Sequence, residues 1–168
     1  PNYKWNSAYD LFWKDKHTHI DVYGYYPFAN PESIEDYQFE VQKDQSKATE
    51  NGEMGGYEAS DFLWGKVSDV APTTSVIRLP MAHRMSNARV TLIQGSGFAE
   101  GEWANLEKIV LTANVARKAS INLSTGEIKT AGAVESTMTI PSRVNDEWRT
   151  IVVPQTVAAG TTLFSITI

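Results

Sequence analysis

Two histidines one residue apart, His17 and His19, are the first residues whose type and spacing could do chemistry. In an extended segment both imidazoles share a face, and Asp15 and Asp21 fall on the same parity, a donor set suited to zinc. A closed zinc site takes four protein ligands and an open one three, whereas an alternating period is what any polar strand face shows. His17 and His19 are thus the candidate metal ligands, and the expectation is that the chain holds no metal and no cofactor. The third histidine, His83, lies in an apolar phase between Met81 and Met85. Without a nucleophile motif beside it, its expected state is a buried imidazole bonded to a backbone carbonyl.

Other catalytic signatures are missing. Gly95-Ser96-Gly97 is not the nucleophile elbow, which places Ser in Gly-x-Ser-x-Gly on a strand-to-helix turn. Glu100 with Glu102, and Glu32 with Glu35 and Asp36, are carboxylate pairs of the sort a glycan hydrolase uses. General-acid work needs a carboxyl in an apolar pocket, and polar neighbours make these solvated acidic turns. Neither glycine-rich phosphate motif occurs. The chain is expected to be non-enzymatic, with no catalytic residue. Aromatic residues are a different matter: Trp5, Tyr9, Phe12 and Trp13 cluster near the start, and Trp64 follows. Trp5, Trp13 and Trp64 are the candidates for holding a sugar ring or an adhesive contact, against the competing role of ordinary strand packing.

The whole composition narrows the classes further. The chain has 168 residues, 20 acidic against 15 Lys and Arg, and no Cys. A folded chain of that length buries roughly 70% of its unfolded surface, so one domain over 1–168 needs no staple. Thiol chemistry and cysteine-based metal sites are excluded. Scattered basic residues and a net charge of -5 argue against nucleic acid, whose phosphates call for a basic face. Residues 150–168 carry no charge, but Pro154, Gln155, Gly160 and five Thr make them too polar to span a bilayer. Pro1-Asn2-Tyr3-Lys4-Trp5 has neither a basic leader nor an apolar run, as expected of a mature or trimmed product.

Elements that could position these residues are short and extended. His19 to Tyr26 alternates, with Ile20 and Val22 on one face, Tyr23 and Tyr25 on the other, and Pro27 as its stop. Asn30-Pro31 predicts a short helix through Tyr37. Residues 42–56 are polar and glycine-bearing and predict a mobile surface loop. Order returns at Ser60. From Ser75 to Ile93 an extended stretch shifts its apolar phase by one residue near Ser86-Asn87, which predicts a bend from one sheet to another. A helical turn is expected between Glu100 and Lys108. Strands follow at Ile109 to Val115, Ala119 to Leu123, Thr137 to Ile140, Arg149 to Val153 and Thr162 to Ile168. Phe164, Ile166 and Ile168 form the face expected to pack inside. The fold class is all-β: an antiparallel sandwich with one or two short helical turns.

Several blocks in order resemble one family. They are Tyr25-Tyr26-Pro27-Phe28, Ser60-Asp61-Phe62-Leu63-Trp64-Gly65, the run from Leu79 to Val90 with Ala82-His83-Arg84-Met85-Ser86-Asn87 at its centre, and Val152-Val153-Pro154-Gln155-Thr156-Val157. Together with Asn122-Leu123-Ser124-Thr125-Gly126, they resemble the fimbrillin-like (Mfa-like) proteins of Bacteroidales. That resemblance implies a subunit or tip adhesin of a type V pilus, located at the cell surface. Such proteins are exported as outer-membrane lipoprotein precursors, trimmed by an arginine-type protease and assembled by strand exchange. It also implies transthyretin-like sandwich domains, of which this chain is similar to the amino-terminal one.

The sequence departs from that pattern in lacking a lipobox Cys, the usual first strand and the second domain. A missing strand would leave an open edge and an apolar groove, the template for strand addition. Five buried donor side chains would contribute about 7–15 kcal/mol against an association cost of about 4–15 kcal/mol. Expected partners are other pilus subunits by β-strand addition, and a host or bacterial surface glycan or protein. The alternative reading is a secreted carbohydrate-binding β-sandwich module built on Trp5, Trp13 and Trp64.

Overall fold

The computed structural model describes residues 9–102, 110–135 and 147–167. Its strands are β1 (Ile20–Tyr26), β2 (Tyr37–Glu40), β3 (Leu63–Val70), β4 (Ala82–His83), β5 (Ser86–Thr91), β6 (Val110–Ala113), β7 (Val115–Asn122), β8 (Glu127–Glu135), β9 (Glu147–Val152) and β10 (Phe164–Thr167). One helical turn, α1 (Gly56–Ala59), interrupts them. Every pairing is antiparallel: β1-β3-β4, β2-β7-β8, β5-β9 and β10-β6. The antiparallel, mainly β sandwich expected from alternating apolar residues is the fold that forms.

The core lies where the inward faces of these sheets meet. Phe39, Phe62, Leu111, Val115, Ala119, Ile121, Trp148, Ile151 and Val153 are buried, and Tyr23, Tyr25, Trp64 and Phe164 pack on them. Phe62 is fully buried, with its ring 5.1 Å from Phe39, 6.1 Å from Tyr37 and 6.2 Å from Tyr25. Such offset and tilted contacts suit the quadrupoles of aromatic rings and join three elements at one point.

Several local expectations need correction. The helix expected from Asn30 does not form. Ser33 Oγ instead accepts the N–H groups of Glu35 and Asp36, closing a turn that delivers Tyr37 into β2. Tyr37 and Phe39 alternate inward, so burial of two rings outweighs the capping signal. The helical turn is at α1, where Ser60 Oγ donates to the Gly56 carbonyl. Of the turn expected at Glu100 to Lys108, residues 103–109 lie outside the described residues, as does the strand expected at Thr137 to Ile140. The bend between sheets does occur, two residues early: β4 pairs with β3 and β5 with β9, so the chain crosses over at Arg84-Met85.

Candidate functional site

The histidines are not brought together. His19 Nδ1 lies 2.8 Å from Asp69 Oδ1, while the backbone N–H of His17 donates to Asp15. Among the described residues no group of three metal-ligating side chains gathers anywhere. His83 overturns the expectation of burial: its side chain is 73% exposed and meets Asp61 at 2.7 Å. The reason is the sheet switch, which turns Met85 inward and leaves the two-residue strand β4 on the surface. Of the carboxylates, Glu102 accepts the N–H of Ala99 within its own turn, and Asp36 accepts from Gln38 Nε2 and Ser120 Oγ. Neither environment is the apolar pocket that raises a carboxyl pKa.

The three tryptophans among the described residues have separate settings. Trp148 is 2% exposed and belongs to the core. Trp64 is half-buried: its Nε1 donates to the Leu123 carbonyl at 2.7 Å, and the Arg84 guanidinium sits 5.5 Å from the ring centre. Trp13 lies in the irregular segment before β1, with its Nε1 donating to the Thr73 carbonyl at 3.0 Å. Beside it opens a cleft of about 600 Å³ lined by Trp13, Asp15, Lys16, Pro72, Thr73 and Thr74. Trp5 lies outside the described residues.

Two glutamines that the residue pattern did not single out do the work of strands. Gln45 is 1% exposed; its Nε2 donates to the Ile151 carbonyl at 2.7 Å, and its Oε1 accepts the Ile151 N–H at 2.9 Å. Gln155 treats Ala116 in the same way, accepting its N–H at 2.9 Å and donating to its carbonyl at 3.0 Å. Residues 42–56, expected to be a mobile loop without an anchor, are therefore pinned to β9 by a polar side chain. Gly56 adds to this, because its N–H donates to the Lys47 carbonyl and a Cβ there would run into the Asp44 backbone. A buried amide with no apolar neighbours in sequence leaves no periodic signal.

A sequence model described as fimbrillin-like matches residues 2–168. The chain belongs to the fimbrillin-like family. None of the curated protein sequences matches it. A crystal structure of a "putative cell adhesion protein" from Bacteroides uniformis ATCC 8492 shares the fold, with a TM-score of 0.61 at 18% identity, over 89% of this chain and 54% of that one. The fimbrillin-like chain thus spans about half the length of that relative.

Three of the blocks that carried the family resemblance, around Trp64, Arg84 and Gly126, converge in space. Gly126 backs directly onto the Trp64 ring, the Arg84 side chain donates to the Gly126 carbonyl, and the Arg84 N–H donates to the Phe62 carbonyl. Asn122 Oδ1 shapes the turn by accepting the N–H groups of Ser124 and Thr125. Arg84 and Trp64 thereby tie the β7–β8 turn to β3, a structural joint in which the Trp64 ring meets the Arg84 guanidinium and Gly126. On β10, Phe164 packs against the core but Ile166 is 46% exposed, so of the two described residues of the face expected to be inside, Phe164 is the packed one. Ile168 lies outside the described residues. Among those described, no helix is long and apolar enough to cross a membrane.

Proposed function

We propose that this fimbrillin-like chain is part of a pilus subunit or tip adhesin. In this reading it is exported as a lipoprotein precursor to the outer membrane and acts without catalysis, by strand addition between subunits and by surface contact. The observation that carries the reading is the family match over residues 2–168. The fold relative described as a cell adhesion protein supports it. So does the arrangement of edges: among the described residues β1 pairs only with β3 and β8 only with β7, leaving one side of each strand for a partner. Gln45 closes the outer edge of β9 at Ile151, which directs pairing elsewhere. Exposed apolar side chains, Val134 on β8 at 62% and Ile166 on β10 at 46%, are surface that association would bury.

Immunogold electron microscopy of the source bacterium, with antibody raised to this chain, tests the reading. Label along surface fibres is expected, together with a ladder of polymers in mildly denatured extracts that collapses to one band on boiling. Label confined to the cell interior would overturn it.

A further inference from the structure

We propose that the cleft beside Trp13 is a carbohydrate-binding site that takes one pyranose unit of a neutral oligosaccharide against the indole. The cleft, at about 600 Å³, is shallow and largely open to solvent, so a sugar unit would lie on its wall rather than be enclosed. Its aromatic wall is held in place before any ligand arrives. The Trp13 indole N–H is committed to the Thr73 carbonyl, 60 residues away in sequence, which fixes the ring and satisfies its polar edge. Trp148 is buried and Trp64 is engaged by Arg84 and Gly126, so neither offers an equivalent surface. Leu11 and Phe12, next to Trp13 in the chain, are 84% and 87% exposed and lie outside the cleft lining.

The polar lining selects the ligand class. Asp15 Oδ1 accepts the N–H groups of His17 and Thr18 at 2.8 and 2.6 Å, and Oδ2 accepts the Thr18 hydroxyl at 2.6 Å. A carboxylate has about four acceptor positions, so a fixed and oriented one is left for a ligand hydroxyl. Those bonds, that from the Thr18 hydroxyl foremost, also hold the Asp15 carboxyl below its ordinary range and keep it an acceptor at neutral pH. Lys16 is exposed and brings three donors. Thr73 Oγ1 accepts the Ser75 N–H and retains its own proton to donate. Adjacent donor and acceptor beside an aromatic plane match the vicinal hydroxyls and apolar C–H face of a pyranose. A purely apolar ligand would leave the open acceptor position of Asp15 and the Lys16 donors to water, and an anionic one would meet the Asp15 charge.

This inference deepens the adhesive reading by naming its receptor class, and the test lets either fail alone. The whole chain is applied to a printed array of neutral and sialylated oligosaccharides, and the best-bound neutral compound is titrated calorimetrically into the wild type and two variants. Binding to neutral glycans is expected, with Trp13→Ala weakening it about tenfold or more and Lys16→Ala about three- to fivefold. A chain labelled with 5-fluorotryptophan supplies a readout that needs no variant to fold: a single ¹⁹F resonance should shift on adding that oligosaccharide. No binding to neutral glycans, unchanged affinity in Trp13→Ala, or no shifted resonance overturns the site. Incorporation of Trp13→Ala into polymers, measured in parallel, should match the wild type; its loss without any change in glycan affinity would count against this assignment of Trp13.

Discussion

Gln45 pairs with Ile151 as a neighbouring strand would, with one amide donating to its carbonyl and accepting its N–H at 2.7 and 2.9 Å. The same Oε1 also accepts the Thr150 hydroxyl at 3.1 Å. Backbone groups at a buried strand edge must find partners, and a strand there would have to come from the chain itself or from another copy. A single side chain supplies those partners here without presenting a further edge. Gln155 repeats the device at Ala116, beside the bulge where the β7–β8 register slips between Ala116 and Lys118. Both amides close the sandwich at places where a continuous ladder would invite pairing.

Replacing Gln45 with Ala should therefore cost far more than its polar surroundings suggest. The Ile151 N–H and carbonyl and the Thr150 hydroxyl would be left in a site where both residues are nearly inaccessible, at 4% and 1% exposure. Buried unsatisfied groups cost about 1–3 kcal/mol each, partly recovered by water, so a loss of about 2–4 kcal/mol is expected. Urea unfolding should show a lower midpoint with an unchanged slope. A cost under about 0.5 kcal/mol, typical of surface substitutions, would mean that the loop is not fastened to β9 through this residue.

The contrast between what was and was not legible follows from the range over which each signal acts. Alternation in Tyr23 and Tyr25 and in Leu111 to Val115, and the short apolar run Ile151 to Val153, are local, so those strands could be read directly. The phase shift after Met85 was local too, and it marks the crossing between sheets. Gln45 reaches a partner 106 residues away, a distance over which no spacing rule operates. His83 was misplaced because one apolar phase was extended through Met85, although the pairing ends at β4. The Trp13 cleft was half legible: the aromatic cluster stood out, but its closure by Thr73 depends on how β3 returns beside the segment preceding β1.

Gly126 is expected to be irreplaceable where Gly52 is not. Both have positive φ, +74° and +84°, and a side chain in that region costs about 1–2 kcal/mol. At Gly52 a Cβ would meet nothing within 4 Å, whereas at Gly126 it would lie 2.6–2.8 Å from Trp64 ring carbons. Gly52→Ala should cost about 1–2 kcal/mol, and Gly126→Ala about 3–5 kcal/mol once Trp64 is displaced. Tryptophan fluorescence should shift only in the second variant. Equal costs would show that the β7–β8 turn can move away from Trp64 freely.

β10 should be asymmetric. Phe164, opposite Ala113, packs on the core, whereas Ile166, opposite Leu111, is 46% exposed. Phe164→Asp should lower stability by about 2–4 kcal/mol, through lost apolar burial and a charge held near the core. Ile166→Asp should cost under about 1.5 kcal/mol, since much of its surface is already in water. An unchanged thermal midpoint in Phe164→Asp would show that the strand does not seal the sandwich there.

Acid should weaken the β1–β3 ladder through Asp21. The Lys66 ammonium, 2.8 Å from Asp21 Oδ2, is the main cause holding this carboxyl below its ordinary range, and the Asp69 N–H on Oδ1 adds to it. The folded state therefore releases this proton at lower pH than the unfolded chain, whose aspartates titrate near about 3.9. Between the two values the unfolded state binds more protons, so stability rises with pH. The contribution is complete above the unfolded value and fades as pH falls through the folded one. Asp21→Asn should thus lower the urea midpoint at pH 7, with the gap to wild type closing as the pH falls below the ordinary aspartate range. Asp15 and Asp44, held low by hydrogen bonds of their own, should leave part of the acid dependence in the variant. A gap that stays constant from neutral to acid pH would show that the Asp21 charge is not what Lys66 and Asp69 recognise.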